Sequence, residues 1–151
     1  MTIILKNKQT LQIGDFLFRC CIGKKGLSFK KKEGDNKTPK GIFRLENLYY
    51  RKDRVKKPQT ALNCVKINND MGWCNDINYP KKYNKLFKID KKINHEKLKR
   101  IDCKYDLLIP IKYNFHKPVP GMGSCIFIHL TKNYNPTAGC IGIKKKDFLI
   151  M

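Results

Sequence analysis

The sequence predicts one mainly β domain with few short helices, spanning residues 1–151. Apolar residues gather into short or alternating runs of strand length, separated by Gly, Pro, Asn and Asp. There is no internal repeat and no long linker. At 151 residues, 41% of them hydrophobic, the chain is long enough to bury a core and too apolar to stay disordered.

In chain order, strands are expected near Thr2–Lys6, Phe16–Ile22, Gly41–Tyr50, Ala61–Ile67, Tyr105–Tyr113, Ser124–Leu130 and Cys140–Ile143. Gly23-Lys-Lys-Gly26 turns the second run into Leu27-Ser-Phe29. The segment from Glu33 to Gly41 is a compact loop, with glycines suited to positive φ and Pro39 fixing one dihedral. Its Gly34–Gly41 part lacks the Gly-x-x-x-x-Gly-Lys-Ser/Thr order of a phosphate cradle and reads as a structural turn. Tyr79–Asp102 is rich in Lys and Asn, and a short helix is expected around His95–Arg100. Lys145–Met151 reads as the first turns of a second helix.

The formal net charge of +21 points toward nucleic acid, an anionic membrane or another polyanion. The composition offers a plainer origin. Nearly all the positive charge is lysine, since the only arginines are Arg19, Arg44, Arg51, Arg54 and Arg100. Only Ala61 and Ala138 are alanine, while Ile and Asn abound, a skew that AT-rich codon usage produces. The lysines also fall in scattered groups (Lys30–Lys32, Lys91–Lys92, Lys144–Lys146) rather than in one arm, so no nucleic-acid partner is expected.

No apolar run approaches the roughly 18–20 residues of a membrane span. The N-terminal Met1–Lys8 does not read as a secretion signal: its apolar run is short and no small-residue cleavage site follows. Seven cysteines cannot form a complete disulfide framework, and no Cys-x-x-Cys pair suggests zinc; neither metal nor cofactor is expected. Most of the cysteines lie in apolar runs and read as small buried hydrophobes.

Chemistry is concentrated near the C-terminus. Ile126-Phe-Ile-His129 sets an imidazole at the end of one apolar strand, and Pro136-Thr-Ala-Gly-Cys140-Ile-Gly-Ile sets a thiol after a glycine on the next. A thiol with pKa near ~8.5 needs a base to attack as thiolate around neutral pH. His129 could take that proton and return it to a leaving amine. Gly139 lets substrate approach the backbone, and the N–H groups around Gly139, Cys140 and Ile141 could hold an oxyanion. The residues alone leave a plainer alternative open, in which His129 is a hydrogen-bonded core residue and Cys140 an inert thiol. Trp73 reads equally as a platform for substrate or as core. His95 is expected to be exposed, and His116 to sit near the site or merely in a loop. Asp35 and Asp76 read as structural hydrogen-bonders.

The order His129…Thr137-Ala138-Gly139-Cys140 resembles the L,D-transpeptidase catalytic domain (YkuD-type) family, whose signature is a histidine, a spacer, then Ser/Thr-His-Gly-Cys. Arg19–Gly23, Glu33–Phe43, Gly72–Asp76, Tyr83-Asn84, Tyr105–Leu108, Tyr113-Asn114 and Val119–His129 resemble, in order, its compact single-domain bacterial branch. The resemblance covers nearly the whole chain. It implies a β-sandwich or barrel-like fold, with Cys140 as nucleophile and His129 as base, oriented by a nearby main-chain carbonyl for which Leu130 is the candidate. Thr137, Gly139 and Ile141 would shape the nucleophile turn, and Asn114, Gly123 and Ser124 would lie near the cleft.

The implied partners are peptidoglycan stem peptides, met by a monomer in the cell envelope. The implied reaction is a thioester at the diamino acid in position three of a stem tetrapeptide, formed as D-Ala leaves and passed to an amine as a 3→3 crosslink. Two alternatives stand beside it: a non-catalytic module binding cell-wall polymer or another polyanion, and an L,D-carboxypeptidase or amidase using the same Cys–His pair. Three departures mark this chain. Ala138 replaces a second histidine, Gly142 stands where Asn or Arg often follows the cysteine, and the chain ends at Met151 where relatives continue.

Overall fold

The structure is a computed structural model that describes residues 2–29 and 31–151. Among the described residues the strands are β1 (Ile3–Asn7), β2 (Thr10–Ile13), β3 (Phe16–Cys21), β4 (Leu27–Ser28), β5 (Thr38–Pro39), β6 (Leu48–Tyr50) and β7 (Cys64–Lys66). They continue as β8 (Met71–Cys74), β9 (Leu86–Lys88), β10 (His95–Lys97), β11 (Leu107–Pro110), β12 (Phe127–Leu130) and β13 (Ile141–Ile143), followed by helix α1 (Lys145–Ile150). The chain is mainly β, as the sequence predicts.

Eight strands form one sheet in the order β1-β2-β3-β13-β12-β11-β6-β7, a second sheet runs β10-β8-β9, and β4 pairs with β5. Within the large sheet, β12–β13 and β6–β7 are parallel and the other pairs antiparallel. The short connection from β12 to its parallel neighbour β13 crosses no helix, and it carries the residues of greatest chemical interest.

Alternate side chains of a strand point to opposite faces, and that sorts the core into two clusters. Leu48 and Tyr50 of β6, Leu107 and Ile109 of β11, Ile128 and Leu130 of β12, and Ile141 and Ile143 of β13 pack on one face with Leu11, Phe18 and Phe148. Tyr49, Leu108 and Phe127 point the other way and pack with Trp73 of β8, Tyr105 and Cys140. Both faces of the central strands are therefore covered, which is why they read as continuous apolar runs rather than alternating ones.

Several boundaries differ from expectation. The strand expected over Gly41–Tyr50 is confined to Leu48–Tyr50, because Arg44-Leu-Glu-Asn47 meets the sheet only through the Leu45–Ile111 bridge. The helix expected around His95–Arg100 is instead strand β10, with His95 opposite Cys74 and Lys97 opposite Gly72. Its backbone bonds come from β8, a long-range partner that local periodicity does not reveal. Strands β2, β5, β8 and β9 had no counterpart among the expected strands; β5 forms inside the Glu33–Gly41 segment expected as a loop, where it pairs with β4. Helix α1 forms where expected, anchored by buried Phe148.

Candidate active site

In the parallel β12–β13 pair, His129 lies opposite Gly142. Cys140 precedes Gly142 by two residues and so shares the sheet face of His129. Both line one cavity of about 900 Å³, although only 6% and 9% of their respective surfaces are exposed.

The His129 Nδ1 lies 2.8 Å from the Leu130 carbonyl oxygen. A carbonyl only accepts, so Nδ1 carries the proton and Nε2 keeps its lone pair. Burial pushes the imidazole down to about pKa 4; the Leu130 hydrogen bond opposes this, and the charges of Lys104 and Arg100 reinforce it. At neutral pH the ring is thus an uncharged acceptor. The Tyr105 ring packs edge-on against it, with centroids 5.5 Å apart.

The Cys140 thiol donates to the Cys125 carbonyl at 3.1 Å, and its sulfur accepts the Phe127 N–H at 3.4 Å. Burial pushes this thiol up to about pKa 12, with the Phe127 N–H working in the opposite direction. The resting pair is therefore a neutral thiol and a neutral imidazole. Such a pair can react by moving the proton as the sulfur engages an electrophile, without a standing ion pair.

Side chains clamp the turn that presents Cys140. Thr137 Oγ1 donates to the Cys140 carbonyl at 2.6 Å and accepts the Gly139 N–H at 3.1 Å. Thr38 Oγ1 donates to the Gly139 carbonyl at 2.8 Å and accepts the Gly23 N–H at 2.9 Å. Gly139 has φ of +149°, and a Cβ there would lie 2.8 Å from the Lys37 carbonyl oxygen. Only glycine fits both demands.

One expectation for this turn needs correction. The Gly139 N–H is committed to Thr137 rather than aimed into the cavity. Ile141 belongs to β13, and its side chain lies in the cluster on the opposite face. The Cys140 N–H, by contrast, has no acceptor among the described residues.

Of the remaining residues read as substrate-binding, only Ser124 lines the cavity. Trp73 is 2% exposed and packs edge-on against Phe127 and Tyr49, so its face is closed to any ligand. Its Nε1–H donates to Asn84 Oδ1 at 3.0 Å, and the same oxygen accepts the Cys125 N–H at 3.1 Å. Asn84 also donates to the carbonyls of Tyr113 and Asn114. Asn114 in turn spans its own loop, bonding Val119 and the Gly123 carbonyl. Trp73, Asn114 and Gly123 thus lie behind the site. Through Asn84 they fix the backbone of Cys125, whose carbonyl receives the Cys140 thiol.

Three cavity residues escaped the sequence reading. Lys31, 3% exposed, places its ammonium on Asp35 Oδ1 and the Lys37 carbonyl, each at 2.7 Å. That ammonium would lie 3.5 Å from a Cβ at Gly139, directly against the turn that presents Cys140. Glu33 accepts from the Tyr83 and Ser124 hydroxyls, and Tyr105 covers the imidazole. A lysine inside Lys30–Lys32 carries no local mark of burial; Asp35, three residues beyond Lys32 in a turn, was the available hint.

Asp35 and Asp76 are structural, as expected, each accepting main-chain N–H groups. His95 is half-buried rather than exposed, its Nδ1 2.6 Å from the Ile93 carbonyl oxygen. His116 is exposed beside Phe115 and does not line the cavity. A Cβ at Gly142 would lie 2.7 Å from Cys21 Sγ, which accounts for the missing side chain there. All seven cysteines are free.

The family model for the L,D-transpeptidase catalytic domain (YkuD) matches residues 1–149. No curated protein and no solved structure matches the chain. The chain belongs to the L,D-transpeptidase catalytic domain family.

Proposed function

We propose that this member of the L,D-transpeptidase catalytic domain family is a cysteine acyltransferase acting on peptidoglycan stem peptides. The observation that carries the reading is the shared face of His129 and Cys140 at one cavity, with the imidazole Nδ1 tied to the Leu130 carbonyl. Nε2 is then the free base, and Leu130 stabilises the cation that forms when the base takes a proton.

Cys140 Sγ attacks the carbonyl carbon of the third residue of a donor tetrapeptide, and the thiol proton passes to His129 Nε2. The Cys140 N–H stabilises the developing oxyanion. The C–N bond to the terminal D-Ala breaks, His129 returns the proton to the departing amine, and a thioester remains. An amine from a second stem attacks the thioester, His129 takes its proton, and the sulfur leaves and is reprotonated. Because Ala138 stands where the signature has another histidine, His129 handles both proton transfers alone. Water in place of the second amine turns the same thioester over as a carboxypeptidase.

Incubation with a carbapenem, followed by intact-mass analysis and peptide mapping, tests the reading. One adduct on Cys140, absent from Cys140→Ala, is the expected result. No adduct on the wild-type protein, or an equal adduct on both proteins, defeats it. Product masses from mixed stem peptides then separate crosslinking from hydrolysis.

A further inference from the structure

The Lys31 side chain runs between the two backbone segments that seat the Cys140 sulfur. A Cβ at Gly123 would lie 2.8 Å from its Cε, and a Cβ at Gly139 would lie 3.5 Å from its Nζ. Both glycines have positive φ, +94° and +149°. Gly139 leads into Cys140, and Gly123 leads through Ser124 into Cys125, whose carbonyl accepts from the Cys140 thiol. A larger residue at Gly123 would collide with the lysine stem.

Among the described residues that line the cavity, Lys31 is the one buried cation. Two of its three N–H groups donate to Asp35 Oδ1 and the Lys37 carbonyl. Asp35 also accepts the Lys32 and Lys37 N–H groups, so its charge is shared among three donors. Burial raises the Cys140 thiol most; the Phe127 N–H and the Lys31 charge pull it down, while Glu96 and Cys21 push it up. Cys21, Cys125, Tyr105 and His129 are neutral near pH 7, because burial disfavours their charged forms. Arg54 and Arg100 are tied to Asp106, Asp102 and Glu96. Lys104 and Lys132 also line the cavity, but they are exposed and screened by solvent.

We propose that Lys31 is a positioning residue for Cys140: its ammonium pins the turn that presents the thiol and offsets the negative charge that grows on the sulfur as it attacks. This rests on the acyltransferase reading above. An apolar side chain of similar length would fill the space beside the two glycines equally well, so packing alone does not call for a desolvated charge there. Burying an ammonium is costly even when it is paired. The charge sits where the reaction makes a transient anion, and a fixed cation stabilises such an anion more strongly in a dry site than in water.

Alkylation of Cys140 by iodoacetamide, followed in the full chain by peptide mass at about pH 7–9, tests this. In that range the thiolate is the minor form, so its amount sets the rate. Lys31→Gln keeps an N–H donor for Asp35 but loses the charge, whereas Asp35→Asn keeps the lysine charge and loses its counter-ion. The first should slow Cys140 by about threefold or more, and the second should speed it by about twofold or more. These factors follow because each unit of thiol pKa changes the thiolate tenfold, partly offset by nucleophilicity. Both substitutions loosen the same loop, so a purely structural role moves the two rates in the same direction. Rates that shift the same way, an unchanged rate in either variant, or an equal change at Cys64 on edge strand β7 overturns the proposal. If one variant fails to fold, as read by thermal unfolding, the sign of the other decides. Iodoacetamide reads the thiol without a stem peptide, so failure here is distinguishable from failure of carbapenem acylation, which tests the parent reading.

Discussion

The two faces of the large sheet are built from the same strands and do different work. On one, Leu107, Ile109, Ile128, Leu130, Ile141 and Ile143 interlock with Leu11, Phe18 and Phe148, and every residue named is buried. On the other, Phe127 and Leu108 pack with Trp73 and Tyr105, but His129 and Cys140 open onto a cavity. One residue's shift along β12 separates Ile128 from His129. The sealed face supplies stability, and the opposite face holds two titratable groups in an apolar wall, where burial favours the uncharged form of both. That cost is supportable because the backbone beneath the site is already fixed from the sealed side.

The sharpest way to break the contrast is to alter each face separately. His129→Gln should slow Cys140 acylation by about 10²–10⁴-fold, the usual loss on removing a general base, as read by adduct mass against time. On the sealed face, Leu107→Ala should cost about 2–5 kcal/mol in urea unfolding. Its acylation rate per folded molecule should stay near wild type, because the side chain points away from the cavity.

Acid should probe the site face through linkage. The His129 imidazole sits at about pKa 4 in the folded chain, against about 6.5 when unfolded. Between these values the unfolded chain binds more protons. The stability from the neutral ring is therefore whole above about pH 6.5 and lost as pH falls toward 4, by about 3 kcal/mol. Urea midpoints from pH 7 to 4 check this, and His129→Gln should flatten the slope.

Gly139→Ala sharpens the role of the turn, since its φ and the Lys37 carbonyl both exclude a Cβ. A cost of about 1–3 kcal/mol in thermal unfolding is expected, together with slower acylation. The smallest effect is expected from salt. Raising ionic strength from about 0.05 to about 0.5 M should change acylation by less than about twofold. A polyanion-binding role for the surface lysines would instead weaken steeply.

The sequence was most legible where burial is complete on both sides. The centres of β11, β12 and β13 come from apolar runs that need no partner to be recognised, whereas the His129–Cys140 pairing comes from the resemblance to the family signature and not from the runs alone. Legibility failed where a distant segment decides. β10 exists because β8 offers its edge, and Asn84 draws Trp73 and Cys125 together across the chain. Trp73 and Asn114 lie on the right side of the molecule but serve the scaffold, a distinction that only hydrogen-bond partners draw. Lys31 and Glu33 read locally as solvated loop residues; their place at the cavity depends on Asp35, Tyr83 and Ser124.

The central claim is that Cys140 and His129 act as a thiol and its base on a stem peptide. The most direct measurement follows a donor tetrapeptide with wild-type protein by rapid-quench mass spectrometry. The account predicts a tripeptide thioester on Cys140 appearing together with free D-Ala, slowed in His129→Gln and absent in Cys140→Ala. D-Ala released without a Cys140 adduct, or released equally by Cys140→Ala, would contradict it.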